Sequence, residues 1–489
     1  MNWQNIWQLA KTDYLKLVPI LGLAFYIAFI PNLNYPYPVH IDEWVHMAFS
    51  KAMLQANDTT FIDPFFGQLT QNLSSNLEAG FHLFWGVFHQ ISGISWLTIF
   101  RYFPSIVFMI TVLSVFVLAQ RRGFGWEAAL LTCLIPTTVG IMGPAFLVPI
   151  AMGLLFIPLS LFIAFNFRTW WSYLVLLFFA SFLLSIHAPS AICLVIILMP
   201  YIVLNLKGNF RHSLGITLTL AIPFLAPFPW IFDLLIPTAK SLLSPVYPGQ
   251  YVDLPRVIQT YGYLPVVLCL FGTFMLGIRG GKKNYGLSLG LLTMLLMLAV
   301  FFTLHHGVLI VYERGLMFAM LMVSIVAGAG LMEARKLRLP ERIGSRLRVP
   351  LITQNTGNIL CLALACLMLV MYIPERQDTP YYHMIDEQDY EAFRWIEGNV
   401  SADYEKAILD PWKATAFTAI TGKKVYTRIH MAPFAEDNQA YAFLEDGCTD
   451  TAFLREHGIS IVYNRQQCSN PDLVEVRKYV YLVKEESTP

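Results

Sequence analysis

Long stretches without a charged side chain limit what this sequence can fold into. Leu17–Ile30, Ile106–Leu118 and Leu289–Leu304 carry no charge, and the chain of 489 residues is 56% apolar and only 13% charged. A membrane-spanning helix needs about 20 mostly apolar residues, whereas a soluble domain is typically about 25% charged. A soluble protein could bury one such run, but not many. The sequence therefore predicts an α-helical polytopic membrane protein.

The apolar runs predict about eleven spans, and the basic residues predict their orientation. With the N-terminus in the cytoplasm, most loop lysines and arginines fall inside, including the cluster at Arg335–Arg348. The first external loop then covers about residues 32–95. We expect an integral multi-pass protein with spans at 15–31, 96–119, 126–142, 145–166, 170–187, 189–206, 213–236, 257–278, 285–304, 309–332 and 352–373.

One apolar segment of the first external loop needs a separate decision. Residues 77–93 are short for a span and contain Glu78, His82 and His89. If this segment crossed the membrane, every later basic loop would change sides, against the positive-inside rule. We therefore predict that it lies along the membrane.

The tail differs in composition from the rest of the chain. Short helix-like and strand-like pieces alternate, among them a helix at Asp386–Glu397 and a single final strand at Val474–Val483. The sequence predicts a transmembrane domain at 1–374 and a small external α/β domain at 375–489. Cys448 and Cys468 can pair there if the tail faces an oxidising space.

Polar residues collect at the external ends of the predicted spans. Ionisable residues at such depths are costly and often functional. The net charge of +1 gives no indication of nucleic-acid binding. The residues concerned are Asp42, Glu43, His46, His187, Tyr261, His305, His306, Glu313 and Arg314.

The densest group is His40-x-Asp42-Glu43-x-x-His46. On a helix, Asp42 and His46 are four residues apart and share a face. This spacing fits a general base, or ligands of a divalent metal such as Mg, Mn or Zn, with Asp42 and His46 as the candidate ligands. It also fits a solvated amphipathic helix with an acidic first turn.

The remaining candidates have functional and structural interpretations. Arg314, next to Glu313, could bind a phosphate through its planar guanidinium or form an internal salt bridge. His187, His305 and His306 could contact substrate, or their ring nitrogens could bond neighbouring carbonyls. Tyr261 could stack on a sugar or belong to the aromatic belt at the membrane interface.

Several of these features together resemble the GT-C superfamily of membrane glycosyltransferases. These are the acidic pair Asp42-Glu43 after the first span, the long first external loop, Tyr-Glu-Arg-Gly-Leu (312–316) opening a late span, and an external α/β domain containing LDPWKATAFTAITG (409–422). The family includes protein O-mannosyltransferases, aminoarabinose transferases and oligosaccharyltransferases. The Trp-Trp-Asp-Tyr-Gly string of the last group has its nearest match in Trp170-Trp171-Ser172-Tyr173, at a predicted cytoplasmic span start.

The resemblance implies transfer of a sugar from a polyprenyl-phosphate donor to a lipid, glycan or protein hydroxyl outside the cytoplasm, with inversion. It implies Asp42 as base or metal ligand, Glu43 as its partner and Arg314 on the donor phosphate, with Asp63 and Glu78 as candidates for a second loop acid. A lipid or glycolipid transporter is the alternative. It would favour mid-membrane polar residues and internal repeats, which we do not detect in the sequence. A receptor or scaffold whose tail binds a partner is a third possibility.

The topology gives a direct test. Single cysteines placed in residues 32–95 or 375–489 should react with an impermeant thiol reagent from outside intact cells, and cysteines in Arg335–Arg348 only after permeabilisation. Labelling of the tail solely from the cytoplasmic side would contradict the orientation.

Overall fold

Helices make up most of the chain before the tail. The computed structural model describes residues 13–68, 78–134, 146–226, 240, 245, 261–338, 350–372, 383–429 and 433–484. In these ranges thirteen α-helices precede the tail: α1 (Asp13–Phe29), α2 (Ile41–Ala56), α3 (Ala79–Ser92), α4 (Trp96–Gln120), α5 (Gly125–Leu134), α6 (Pro149–Asn166), α7 (Trp170–Ile186), α8 (Ala188–Asn205), α9 (Phe210–Leu225), α10 (Tyr263–Arg279), α11 (Lys282–Leu304), α12 (Leu309–Arg335) and α13 (Pro350–Tyr372).

A helix lies at each predicted span, but the helices differ in length. Among the described residues, five helices are long and apolar enough to cross a membrane, namely α4, α6, α8, α11 and α12. The helices at the other predicted spans are apolar but shorter in their described parts. The predicted class of helical membrane protein is confirmed, while the number of eleven spans stays a prediction.

Helix α12 packs tightly against its neighbours because glycines let the backbones approach. The most apolar stretch of α12 is entirely buried inside the protein. A Cβ atom added at Gly330 of α12 would lie 2.1 Å from the carbonyl oxygen of Leu268, and one at Gly272 of α10 would lie 2.1 Å from that of Val326. Small residues at such crossings are typical of membrane helix packing, where van der Waals contact replaces the hydrophobic effect.

Helix α3 occupies most of the segment that we predict to lie along the membrane. Its 14 residues extend about 21 Å at 1.5 Å per residue. This is less than the hydrocarbon thickness of about 30 Å. The helix is not among the five that are long enough to span. Its orientation to the bilayer stays a prediction.

The tail forms a five-stranded mixed sheet with helices. Strands β1 (Lys406–Ile408), β2 (Lys424–Val425), β3 (Ile461–Tyr463), β4 (Leu473–Arg477) and β5 (Val480–Val483) are ordered β2-β1-β3-β5-β4. Strand β1 pairs in parallel with β2 and β3, and β5 pairs antiparallel with β3 and β4. The accompanying helices are α14 (Glu387–Asn399), α15 (Ala414–Thr421), α16 (Ala435–Glu445) and α17 (Thr451–Glu456).

Two features of the tail differ from or add to the sequence interpretation. The single final strand predicted at Val474–Val483 is wrong, because the chain reverses at Tyr479, whose φ is 71°, and forms the β4–β5 hairpin. Cys448 and Cys468 are joined by a disulfide. Cys448 lies in a buried apolar cluster with Phe443, Leu454, Val462 and Tyr481.

The chain divides into two compact units. The first, the helical unit, comprises Met1–Leu33 and Tyr102–Pro380, and the second, the loop–tail unit, comprises Asn34–Arg101 and Tyr381–Pro489. The first external loop therefore groups with the tail rather than with the spans. The division into a transmembrane domain at 1–374 and an external domain at 375–489 stays a prediction.

Backbone hydrogen bonds join the two chain segments of the loop–tail unit. The amide of His383 donates to the carbonyl of Val39 at 3.0 Å, and the amide of Val425 in β2 donates to the carbonyl of Phe65 at 3.0 Å. The Lys51 ammonium donates to the carbonyl of Ala419 at 2.7 Å. The loop thus extends the hydrogen bonding of the sheet at its β2 edge.

The disulfide should contribute substantially to the stability of the tail. Replacing both Cys448 and Cys468 by serine should lower the free energy of unfolding by about 2–5 kcal/mol, the usual cost of losing a native disulfide in a small domain. Urea-dependent proteolysis of the tail in the purified full chain measures this. Cys366→Ser, at an exposed free cysteine, is the matched control. Equal protection of the double variant and the wild type would contradict the prediction.

Candidate active site

The acidic pair Asp42-Glu43 lies in the first turn of α2, whose N-terminus is capped by the side chains of His40 and Glu43. One carboxylate oxygen of Glu43, Oε2, accepts from the amide of Val39 at 2.7 Å and from that of His40 at 3.1 Å. The Glu43 side chain is fully buried. Glu43 therefore caps the helix, a structural task that its position beside Asp42 alone does not reveal.

His40 is the other half of this cap. Its Nδ1 accepts a hydrogen bond from the amide of Asp42 at 3.1 Å, so this nitrogen carries no proton and the ring is neutral. The 3.6 Å distance from Nδ1 to Asp42 Oδ2 is then a contact between two acceptors and not an ion pair. The His40 ring holds the backbone of Asp42 in place and so fixes the position from which the Asp42 side chain extends.

Asp42 is a buried acid at the positive end of a helix. It is only 5% exposed, and it occupies the second position of α2, where the helix dipole stabilises a negative charge. A buried carboxylate at a helix N-terminus has a fixed orientation and little hydration. These are useful properties for a base that must take a proton from a bound hydroxyl.

His46 lies one helical turn beyond Asp42 and meets residues of α3. Its Nδ1 is 3.0 Å from His82 Nε2 and 3.9 Å from Glu78 Oε2. The ligand atoms of these three residues all lie within 4.8 Å of one another. Burial lowers the pKa of His82 to about 3, so that ring is neutral near pH 7. Asp42, predicted to share a metal with His46, is not part of this group.

Arg428 of the tail is a residue that the sequence interpretation missed. Its guanidinium lies over the ring of Phe65, 4.2 Å from the ring centre. Burial lowers the pKa of Arg428, while the negative charges of Asp63 and then Asp42 act in the opposite direction. Its Nη1 is buried without a hydrogen-bond partner among the described residues. An isolated arginine some 390 residues after Asp42 gives no local sequence signal.

Asp63 shapes the loop under Arg428. Its Oδ1 accepts from the amides of Phe65 and Phe66, at 2.7 and 3.2 Å, and its carbonyl accepts from Gly67 at 2.8 Å. This turn places the Phe65 carbonyl on β2 and the Phe65 ring beneath the guanidinium. Of the two predicted candidates for a second loop acid, Asp63 forms this turn and Glu78 lies beside His46.

The other predicted site residues belong to the helical unit. His187 joins α7 to α8, and its Nδ1 is 2.6 Å from the hydroxyl of Ser190. The Tyr261 hydroxyl donates to the carbonyl of Leu316 at 2.6 Å and is buried. Both side chains therefore have partners inside the helical unit, and their contact with substrate stays a prediction.

The link between α11 and α12 carries the second predicted group. His305 ends α11 in the left-handed conformation, with a φ of 53°, and the Tyr312 hydroxyl donates to the carbonyl of His306 at 3.1 Å. Glu313 and Arg314 follow in the first turns of α12. The Arg314 Nε is buried and has no hydrogen-bond partner in the part of the chain that the structure describes.

No protein-family model matches the sequence, and no curated protein matches it either. Solved structures do. The oligosaccharyltransferase AglB from Archaeoglobus fulgidus, in complex with an inhibitory peptide and a dolichol-phosphate, has a TM-score of 0.61 at 12% identity over 92% of this chain and 69% of that one. The same archaeal enzyme has also been solved with zinc and sulfate.

Two further structures are similar over nearly the whole chain. The arabinofuranosyltransferase AftD from Mycobacteria has a TM-score of 0.61 at 14% identity, covering 97% of this chain and 40% of that one. ArnT from Cupriavidus metallidurans, bound to undecaprenyl phosphate, has a TM-score of 0.56 at 11% identity, covering 96% and 97%.

These similarities concern the fold. At 11–14% identity, they show that the chain has the fold of the GT-C membrane glycosyltransferases. The predicted fold class and the resemblance to this superfamily are thereby confirmed.

The capping function of Glu43 can be separated from any catalytic one. Glu43→Ala should destabilise the loop–tail unit, because it leaves two buried amides unsatisfied at about 1–3 kcal/mol each. Glu43→Gln retains one oxygen acceptor and should lose less. Thermal unfolding of the purified variants measures both. Glu436→Ala, at an exposed acid in the first turn of α16, should stay within about 0.5 kcal/mol of the wild type. A Glu43→Ala protein as stable as this control would rule out the cap.

Proposed function

We propose that this chain is a membrane glycosyltransferase. It moves a sugar from a polyprenyl-phosphate donor to an acceptor hydroxyl on the extracytoplasmic side and inverts the anomeric centre. The observation that carries the proposal is the buried Asp42, fixed by the His40 and Glu43 cap in a chain with the GT-C fold. The dolichol-phosphate bound to AglB and the undecaprenyl phosphate bound to ArnT support a lipid phosphate as the donor's carrier.

In the proposed reaction, Asp42 accepts the proton of the acceptor hydroxyl as its oxygen attacks the anomeric carbon. The bond between that carbon and the phosphate oxygen breaks, and polyprenyl phosphate leaves with the electron pair. Attack from the face opposite the leaving group inverts the centre.

The departing phosphate gathers negative charge, which a guanidinium can stabilise through two parallel hydrogen bonds. The proposal assigns this phosphate to Arg314, with Glu313 as its neighbour. Arg428 is a second arginine and lies in the same compact unit as Asp42. The negative charge of Asp42 raises the pKa of Arg428, against the effect of burial. His305 and His306 remain the candidates for substrate contact in the α11–α12 link.

An extracytoplasmic tail agrees with its disulfide, since such bonds persist in oxidising compartments. The acceptor class stays open among lipid, glycan and protein. The Trp170-Trp171-Ser172-Tyr173 string begins α7 in the helical unit and does not supply the soluble-domain motif of sequon-directed transfer.

Asp42→Asn tests the proposal, because it removes the base and keeps the size of the side chain. Transfer should fall about 10²–10⁴-fold, the usual contribution of general-base catalysis. The assay incubates the full chain in lipid nanodiscs with radiolabelled polyprenyl-phosphate pentoses and hexoses, and measures label that leaves the lipid. Asp58→Asn is the matched control, since Asp58 is an exposed acid of the same loop and should keep full activity.

Two further arms separate the alternatives. Arg314→Lys should also impair transfer, because an ammonium does not reproduce the planar fork on a phosphate. A folded Asp42→Asn protein with normal transfer would refute the catalytic assignment. If the wild type carries labelled lipid between leaflets without releasing its sugar, the transporter function replaces the enzymatic one.

A further inference from the structure

The pairing of α2 with α3 brings together two histidines and a glutamate that no step of the proposed reaction uses. His46 comes from α2, and Glu78 and His82 come from the start of α3. Their ligand atoms lie within 4.8 Å of one another. We propose that His46, Glu78 and His82 form a zinc site that joins these two helices of the first external loop.

The distances fit one tetrahedral ion. With Zn–N and Zn–O bonds of about 2.0–2.2 Å, two ligand atoms on the same zinc lie roughly 3.3 Å apart. His46 Nδ1 and His82 Nε2 are 3.0 Å apart, and Glu78 Oε2 is 3.9 Å from His46 Nδ1. The Glu78 side chain is 31% exposed and is the least constrained of the three by burial.

The donor set excludes some metals. Two imidazoles and one carboxylate bind zinc, and also iron(II), whereas magnesium and calcium prefer oxygen ligands alone. Three protein ligands leave a fourth coordination position, which a water molecule can fill.

The two imidazoles lie in largely apolar surroundings. The His46 ring is 5.1 Å from the ring of Phe81, and the His82 ring is 5.5 Å from that of Phe49. Phe81 is fully buried. A shell of this kind excludes water from the two histidines and strengthens their attraction to a bound cation.

The site would also hold the catalytic helix. His46 is four residues after Asp42, about one 5.4 Å turn along α2. A metal that joins His46 to α3 fixes the axial position of α2 and hence of Asp42. The zinc site stands on ligand geometry alone and does not depend on sugar transfer.

The test measures zinc on the full chain, purified without a histidine tag, stripped with a chelator and dialysed against Zn²⁺. We expect one zinc per chain by elemental mass spectrometry. Cobalt substituted at the same site should give the visible absorption of a four-coordinate ion. Zinc should raise the unfolding temperature, because an ion that binds only the folded state stabilises it.

His82→Gln and Glu78→Gln should each weaken zinc affinity by more than about tenfold, because each leaves two protein ligands. Both should lose the thermal stabilisation by zinc. His89→Gln is the matched control, since His89 lies on the same helix but stacks on Trp96 and contacts the carbonyl of Ile94. It should bind zinc as the wild type does.

Each result has a clear meaning. Wild-type protein without stoichiometric zinc, or unchanged zinc affinity in both His82→Gln and Glu78→Gln, would overturn the site. Should His82→Gln fail to fold, the milder Glu78→Gln exchange decides. Binding is measured without donor, so loss of the zinc site leaves the proposed transfer standing, and loss of transfer in Asp42→Asn leaves the zinc site standing.

Discussion

The hydrogen bonds between the first external loop and the tail are the constraint on which the rest of the loop–tail unit depends. Val39 and Phe65 provide the carbonyls, and the tail provides the amides of His383 and Val425. The Val39 amide also donates to Glu43, so the same residue that accepts from the tail is part of the cap of α2. The direction of that helix, and with it the position of Asp42, is therefore defined by both segments of the chain.

Phe49 of α2 lies between Phe65 and His82. Its ring centre is 5.6 Å from that of Phe65, over which the Arg428 guanidinium lies, and 5.5 Å from that of His82. Aromatic pairs at such distances add to the energy of area burial. One half-buried side chain of α2 thus packs against both Phe65 and His82.

The sequence predicted the elements whose signals are local. Uncharged runs indicate the helices, because a segment in the bilayer must satisfy its backbone hydrogen bonds internally, and an α-helix does so. The acidic pair Asp42-Glu43 indicates the start of α2, and an α/β tail follows from its alternating pattern. The β4–β5 reversal was missed because its turn residue, Tyr479, gives no turn signal.

Long-range contacts were the part that the sequence could not provide. Nothing local links Arg428 to Phe65, or separates Glu43 as a cap from Asp42 as a buried acid. The sequence marked Glu78 and His82 only as polar residues in an apolar segment. Their approach to His46 depends on how α3 packs on α2, where Phe81 lies against His46 and Phe49 against His82.

The contact between Tyr35 and the carbonyl of Ile385 joins residues 350 positions apart. At a synthesis rate of about 5–20 residues per second, the ribosome needs roughly 20–70 s to make the chain between them. For that time the loop exists without the strands and amides that complete it. The loop can complete its hydrogen bonds to the tail only after the tail has been made, so a product truncated before the tail is left with an unfinished loop.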